Sequence, residues 1–94
     1  MDIKHIKNDS RGAFVIKQDG ERSAELTYVK AGESKFIIDH TEVDPSLRGQ
    51  GVGEKLVDAA ADYARENNLK IFATCPFAIN ALRENESYSD VFEG

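Results

Sequence analysis

The chain has 94 residues, of which 40% are hydrophobic and 31% charged, and its formal net charge is −5. This length and composition indicate one globular domain with one core, and they exclude a disordered or collagen-like chain. The single cysteine, Cys75, excludes a disulfide framework and a metal site built from several cysteines. The acidic charge argues against nucleic acid or an anionic membrane as a partner.

The N-terminus does not resemble a targeting signal, because its first residues are charged and no apolar core follows them. No apolar run approaches the ~20 residues that a membrane span needs. A free cysteine without a secretion signal is typical of the reducing cytosol. We therefore expect a cytoplasmic protein. We also expect no metal cofactor, although His5 and His40 leave a poorly supplied mononuclear site as the alternative.

The first half of the chain is predicted to form four strands. A short strand near residues 3–7 is followed by strands at 13–18 and 23–30. Asp19 and Gly20 join the last two, and this pair favours a type I′ hairpin turn. Residues 35–43 form a long fourth strand. Its apolar start at Phe36, Ile37 and Ile38 predicts a central strand that is covered on both faces.

The second half is predicted to be helix, strand and helix. Apolar residues recur at helical spacing after the glycine loop, at Val52, Leu56, Ala59, Ala60, Tyr63 and Ala64, and Asn67-Asn68 ends this helix. A strand at 69–74 precedes a helix that Pro76 opens. The order is β-β-β-β-α-β-α in a single domain, residues 1–94. A right-handed crossover makes the last strand parallel to the fourth, which predicts an α/β (α+β) fold with a mixed, mostly antiparallel sheet.

The loop from Val43 to Gly53 contains Gly49, Gly51 and Gly53 directly before the first helix. Glycine permits positive φ and leaves backbone N–H groups uncovered by side chains. Those groups, the helix dipole and Arg48 together suit a phosphate. A tight turn with close helix–strand packing is the alternative that needs no ligand.

Two common phosphate-binding motifs do not fit this loop. A P-loop ends in Gly-Lys-Ser/Thr, but Gly53 is followed by Glu54 and Lys55. A dinucleotide site needs G-x-G-x-x-G and an acidic residue about twenty residues later. Here the spacing is G-x-G-x-G, and the strand at 69–74 ends without Asp or Glu.

The run Arg48-Gly49-Gln50-Gly51-Val52-Gly53 resembles the R/Q-x-x-G-x-G/A signature of the GCN5-related N-acetyltransferase (GNAT) superfamily, in the matching strand–loop–helix context. The flanking segments DHTEVDP at 39–45 and CPF at 75–77 are similar to those of the small, single-domain YjdJ-type members. The resemblance covers roughly residues 12–92. It implies a minimal GNAT fold and an acetyl-CoA-dependent N-acetyltransferase.

The resemblance also implies where acetyl-CoA binds. Its pyrophosphate would be held by backbone amides of the loop, at Arg48, Gly49, Gln50, Gly51, Val52 and Gly53. The pantetheine arm would pair with Thr41 to Val43, where the fourth strand and the next parallel strand splay apart. A backbone N–H near Val43 would polarise the thioester carbonyl. Asn80 would either contact the CoA arm or cap a turn.

Cys75 follows the last strand, at the sheet edge where α/β sites usually lie. A lone cysteine is often a small buried apolar residue. However, a helix that starts at Pro76 would lower the pKa of Cys75, and small members of the family have a cysteine near the acetyl group. We predict that Cys75 lines or assists the site while the amine attacks acetyl-CoA directly. An acetyl-cysteine intermediate is the alternative.

His40 and Glu42 are the candidate bases for removing the proton of the amine, directly or through water. Both are expected on the strand face that Phe36 and Ile38 share. A bulge in this strand would change the face of one of them. A structural, hydrogen-bonded histidine and a solvated carboxylate are the alternatives.

The chain departs from the GNAT pattern after the second helix. Full-length members have further C-terminal strands and often a tyrosine that protonates the CoA thiolate. Tyr88 does not match the usual spacing of that tyrosine from Asn80 and Ala81, so we expect it to pack under the tail together with Val91 and Phe92. The acceptor site is expected to be open, or to be completed by a protein partner or a second copy of the chain.

The lead hypothesis is acetyl transfer to an amine, either of a small polyamine-like molecule or of a protein lysine or N-terminus. The acidic surface favours a cationic acceptor through electrostatic steering. The alternative is a non-catalytic module that binds or senses CoA or acyl-CoA. A third hypothesis is an interaction domain in which the glycine loop serves only as a turn.

Overall fold

The order of elements is the one that the sequence predicts. The structure, a computed structural model, describes residues 2–93. The strands are β1 (Lys4–Lys7), β2 (Arg11–Gln18), β3 (Glu21–Lys30), β4 (Lys35–Val43) and β5 (Lys70–Ala73), and the helices are α1 (Val52–Glu66) and α2 (Pro76–Glu84). Short 3₁₀ turns lie at Pro45–Leu47 and Glu86–Tyr88. Neither helix in the described part of the chain has the length and apolar character required to span a bilayer.

The strands form one sheet in chain order, β1-β2-β3-β4-β5. The first three pairings are antiparallel, and β5 pairs with β4 in parallel, which confirms the predicted crossover through α1. The β2–β3 hairpin turns at Asp19 and Gly20, whose φ angles are 53° and 82°. Positive φ at both positions is the requirement of a type I′ turn, so this prediction is confirmed.

The core lies between the sheet and the two helices. Buried side chains of β3 and β4, among them Leu26, Tyr28, Phe36 and Ile38, belong to the same apolar cluster as residues from both helices. The buried face of α1 includes Val57 and Ala61, so it is wider than the predicted stripe. Small alanines on this face let the helix approach the sheet closely.

The expectation that β4 is covered on both faces is wrong for the second face. Phe36 and Ile38 are fully buried, but Ile37 between them is only half-buried. The apolar cluster that contains Phe36 and Ile38 includes buried residues of both helices, so α1 and α2 lie on that one side of the sheet. A run of apolar residues therefore marks a strand in the sheet interior without showing how many layers cover it.

The C-terminal segment packs back on the core, as predicted. Tyr88 and Val91 are each 4% exposed. Phe92 forms an isolated parallel bridge with Ile71, beyond the outer strand β5. The backbone of Ile71 donates to Val91 O at 2.7 Å and accepts from the Glu93 N–H at 2.9 Å. This short pairing covers part of the β5 edge.

Candidate active site

The paired part of β4 and β5 is short, and β4 continues well beyond it. Parallel pairing runs from Lys35 with Lys70 to Ile38 with Ala73. The N–H groups of Thr74 and Cys75 then both point at the carbonyl oxygen of Ile38, at 2.9 and 3.4 Å. Among the residues that the structure describes, none forms a strand partner for residues 39–43 of β4 on that side. This open edge is the splayed gap that the GNAT resemblance implies.

Thr41 and Val43 direct their backbone N–H groups to this open edge. The N–H of Asp44 donates to Ser23 O at 2.7 Å, toward β3. Successive residues of an extended strand direct their N–H groups to opposite edges. The N–H groups of Val43 and Thr41 therefore face the gap. Their side chains face the helices, because Thr41 and Val43 lie opposite the buried Leu26 and Ala24.

The glycine loop forms the next part of the same wall. Gly49 and Gly51 have φ angles of 84° and 70°, which residues with a side chain rarely adopt. Lys55 is the first residue of α1 whose N–H reaches back to a carbonyl, that of Gly51 at 3.1 Å. The preceding amides of Val52 and Gly53 have no such partner within the helix and lie at its positive end. An anion binds favourably at such a terminus.

A cleft of about 570 Å³ lies along these two segments. It is lined by residues of the β4 end, the glycine loop and both helices: Thr41, Glu42, Val43, Leu47, Arg48, Gly49, Gly51, Val52, Gly53, Glu54 and Phe77. Its volume is within the range of small-molecule and cofactor sites. The exposed guanidinium of Arg48 adds a fixed positive charge at the wall.

Gly53 has a different role from the two glycines before it. It lies in the right-handed helix α1 and is buried. A Cβ atom at this position would lie 2.5 Å from Cζ of Phe77 and 2.8 Å from its Cε2. The absence of a side chain therefore lets the Phe77 ring rest on the backbone of α1. The packing at Gly53 is between α1 and α2, not the expected packing between helix and strand, and the turn is made by Gly49 and Gly51.

Cys75 lies where β4 and β5 separate, as the residue before α2. Its Sγ is 3.5 Å from Oγ1 of Thr41, which lines the cleft. Burial acts to raise the pKa of the Cys75 thiol, but the Thr41 hydroxyl and the N–H groups of Ala78 and Phe77, which stabilise the thiolate, outweigh it. The pKa of Cys75 is therefore lowered from its usual value, as expected at a helix N-terminus.

His40 and Glu42 lie on the face opposite to the one predicted. Thr27 pairs with His40 and Tyr28 with Ile38, so Asp39 is an extra residue that forms a bulge in β4. The bulge shifts the alternation by one position and moves both candidate bases, rather than one, away from the face of Ile38. Nε2 of His40 is 3.4 Å from Oε2 of Glu42. Glu42 borders the cleft, and His40 is outside its lining.

A second, smaller cavity of about 360 Å³ shares Glu42, Val43 and Arg48 with the first. Its remaining lining comes from the start of β3 and from the turn after β4, and it includes the carboxylates of Glu25 and Asp44. The Arg22 guanidinium is 3.9 Å from Glu25. The end of β4 thus borders two cavities.

Within residues 2–93, the cleft lining does not include four predicted site residues: His40, Gln50, Cys75 and Asn80. Gln50 directs its side-chain amide to Ser46 O at 3.4 Å, and Asn80 is exposed on α2. Tyr88 is buried, and its hydroxyl donates to Asp58 on α1. Burial and this carboxylate raise the pKa of Tyr88 well above its usual value. The expectation that Tyr88 packs under the tail is confirmed.

Sequence reasoning missed three residues of the cleft lining: Leu47, Glu54 and Phe77. Leu47 and Glu54 flank the glycine signature, so an extension of the motif by one residue on each side would have found them. Phe77 is 24 residues after Gly53 in the chain, and no spacing rule connects the two. Its position in the CPF segment was the only available signal.

Known proteins resemble this chain in sequence and in structure. A GCN5-like protein of Staphylococcus aureus, solved by NMR, is 40% identical and matches with a TM-score of 0.73 over 97% of this chain and 88% of that one. Protein NATD1 of Gallus gallus is 33% identical over 86 residues, which are 90% of this chain and 76% of the relative. Gcn5 of Tetrahymena, 14% identical over 82% of this chain and 51% of its own, shares the fold with a TM-score of 0.67.

The family assignment rests on the sequence as well as on the fold. The sequence model of the GCN5-related N-acetyltransferases matches residues 13–91, which include all of β3, β4, the glycine loop and both helices. Enzymes of this family generally take acetyl-CoA as donor. The family signature lies in the glycine loop. In the structure this loop follows the open edge of β4 along the same cleft. The chain belongs to the GCN5-related N-acetyltransferases and is an acyltransferase of that family.

Proposed function

We propose that this protein transfers an acetyl group from acetyl-CoA to a primary amine. The observation that carries the proposal is the continuity of the open β4 edge with the glycine loop along one cleft of about 570 Å³. The amides of the loop suit the pyrophosphate, and the N–H groups of Thr41 and Val43 suit the amide groups of an extended pantetheine arm. An elongated acyl carrier can bind the amides of the loop and those of the β4 edge at the same time.

The reaction needs a free amine, a stabilised oxyanion and a proton for the leaving thiolate. In the proposal, the amine nitrogen attacks the thioester carbon, and the carbonyl oxygen becomes an oxyanion that the N–H of Val43 stabilises. Collapse of the intermediate breaks the C–S bond, releases CoA as thiolate or thiol, and leaves an N-acetylated amine. The proton that the amine loses goes to a base and then to solvent, and solvent supplies the proton that converts the CoA thiolate to the thiol.

We assign Cys75 a place beside the reacting thioester. Its sulfur neighbours Thr41, and it has a lowered pKa. Direct attack by the amine needs no covalent enzyme intermediate, so Cys75 then lines the site. In the alternative, the Cys75 thiolate displaces CoA, carries the acetyl group as a thioester and passes it to the amine.

Glu42 is the stronger candidate for the base. It borders both cavities, whereas His40 reaches the site only through its contact with Glu42 at 3.4 Å. We propose that Glu42 accepts the amine proton, directly or through water, and that His40 positions its carboxylate. Gln50 remains a candidate for a backbone contact with the pyrophosphate, and Asn80 remains a candidate for a contact with the CoA arm.

The proposed acceptor is cationic. The second cavity adjoins the first at Glu42, and its carboxylates of Glu42, Glu25 and Asp44 outnumber its two guanidinium groups, those of Arg22 and Arg48. A second ammonium group of a polyamine, or a lysine-containing peptide, would be attracted to this side of β4. That a protein partner or a second copy of the chain completes this side stays a prediction.

The test of donor binding uses two glycines with the same backbone geometry. Gly49 and Gly32 have φ angles of 84° and 85°, and a Cβ at either position would meet nothing within 4 Å. Gly49→Ala and Gly32→Ala therefore impose similar strain, of about 1–2 kcal/mol, in the glycine loop and in the distant β3–β4 turn. Titration calorimetry with CoA should show affinity lost by about tenfold in Gly49→Ala and retained in Gly32→Ala. Equal affinities in both would contradict phosphate binding by the loop.

Catalysis is tested by thiol release from acetyl-CoA with a panel of amines that includes spermidine and a lysine peptide. Amine-dependent release supports the transferase, and CoA binding without release would favour the non-catalytic module. Mass spectrometry of the protein without amine reports any acetyl adduct on Cys75. Full turnover by Cys75→Ser would exclude the covalent route and leave direct attack.

A further inference from the structure

We infer that Phe77 is a binding residue for the pantetheine arm of acyl-CoA, and this inference rests on the proposed donor site. Only two large apolar side chains in the described residues are exposed, Phe77 at 39% and Ile6 at 45%. Ile6 lies in the outer strand β1, whereas Phe77 lines the cleft. An exposed aromatic ring that forms a cavity wall provides apolar area for a ligand.

The Phe77 ring is held in place by the backbone of α1. The missing side chain of Gly53 leaves room for the ring, since a Cβ there would lie 2.5 Å from its Cζ. Phe77 is also the second residue of α2, directly after Pro76, so its own backbone is fixed by a helix start. A ring fixed from both directions loses little conformational entropy when a ligand packs on it.

The position of the ring along the cleft identifies the part of the ligand that it meets. Cys75, two residues earlier, contacts Thr41 and marks the thioester end. The amides at the start of α1 mark the pyrophosphate end. Phe77 follows Cys75 by two residues and its ring abuts Gly53 at the start of α1, so it connects the two ends and faces the arm that joins them. The methyl and methylene groups of that arm are apolar and suit a phenyl ring.

The competing explanation is that Phe77 only packs α2 against α1. The two explanations predict different affinities for 4′-phosphopantetheine, a ligand that lacks the adenosine part of CoA. If the ring contacts the arm, its removal weakens binding of 4′-phosphopantetheine as much as binding of CoA. If the ring only packs the helices, the variant loses thermal stability and both affinities stay at the wild-type value.

The experiment measures the affinities of CoA and 4′-phosphopantetheine for wild type, Phe77→Ala, Phe77→Leu and the control Ile6→Ala by titration calorimetry. We expect about tenfold weaker binding of both ligands to Phe77→Ala, a smaller loss in Phe77→Leu and no change in Ile6→Ala. Unchanged affinities in Phe77→Ala, or a loss confined to CoA, would overturn the inference. Absence of binding to wild type would instead overturn the proposed donor site.

A double-mutant cycle tests the link to Gly53. Gly53→Ala should weaken CoA binding because its methyl group displaces the ring. In the Phe77→Ala background that methyl group meets no ring, so Gly53→Ala should then add little to the loss. Additive losses would mean that Gly53 acts on the phosphates directly and not through Phe77.

Discussion

The Cys75 thiol has neighbours that act on its ionisation in opposite directions. Burial opposes the charged form, whereas Thr41 and the first amides of α2 stabilise it, and the pKa is lowered overall. We predict that the thiolate absorbance of this protein rises with pH at a midpoint below that of an ordinary, exposed cysteine. The measurement is unambiguous because Cys75 is the only cysteine in the sequence.

A variant without the Thr41 hydroxyl tests the cause of the lowered Cys75 pKa. Thr41→Val removes the hydroxyl that stabilises the thiolate and keeps the shape of the side chain, so the midpoint should move upward. Because the folded pKa is depressed, the thiolate adds to the free energy of unfolding above the ordinary cysteine pKa. That contribution is lost as the pH falls through the folded pKa. An unchanged midpoint in Thr41→Val would mean that Thr41 does not lower the pKa of Cys75.

The three glycines of the loop are required for two different structural reasons, and only one of them can be predicted from the sequence. Their spacing before a helix indicates a special backbone, and Gly49 and Gly51 do have positive φ. Gly53 is glycine for another reason, namely contact with a ring 24 positions later. Local sequence identifies the first requirement because φ is a property of one residue. It cannot identify the second, which depends on how α2 packs against α1.

Among the elements, the C-terminal segment is held by both α1 and β5. Arg65 donates to both carboxylate oxygens of Asp90 at 2.8 and 3.1 Å, and Nζ of Lys70 reaches Asp90 O at 2.7 Å. We predict that Arg65→Ala speeds amide exchange at Ile71 and Glu93, which pair across this segment, by about two- to fivefold. Hydrogen exchange followed by NMR measures it.

The matched control is Arg83→Ala, which removes another exposed arginine near the end of a helix. Exchange at Ile71 and Glu93 should stay at the wild-type rate in this variant, and amides of β2 and β3 should be unaffected in both. Equal acceleration by the two substitutions would mean that loss of charge, rather than the Asp90 contact, loosens the segment.

The bulge at Asp39 is the element-scale feature that sequence reasoning could not locate. Strict alternation from Phe36 places His40 and Glu42 on the buried face, and one extra residue reverses this. In the structure the Asp39 carboxylate accepts from Oγ1 of Thr27 at 2.6 Å and from Arg11 at 3.3 Å. These partners come from two other strands. The position of the bulge therefore depends on contacts across the sheet and not on the local sequence of β4.

At the scale of the whole molecule, one apolar core joins the sheet to both helices. A ligand in the cleft contacts the end of β4, α1 and α2 together, so its binding energy is coupled to global unfolding. At a hundred times its Kd, CoA should raise the free energy of unfolding by about 2.7 kcal/mol. For a chain of this size, that corresponds to a rise in Tm of roughly 10 °C or more in a single transition.

Differential scanning calorimetry measures this shift, and pantetheine at the same concentration is the control. Pantetheine lacks the phosphates that the loop amides are proposed to bind, so its shift should be much smaller. Equal shifts with both compounds would place the binding energy in the arm alone. No shift with CoA would contradict the proposed donor site.

The sequence by itself determined the elements, their order, the parallel crossover and the family. These follow from periodicity, turn residues and a contiguous motif, which are local along the chain. Only the tertiary structure decided that His40 and Glu42 face away from Ile38, that Thr41 contacts Cys75, and that Phe77 rests on Gly53. Each of these depends on strand register or helix packing between residues distant in the chain, and such contacts are fixed only when the whole core packs.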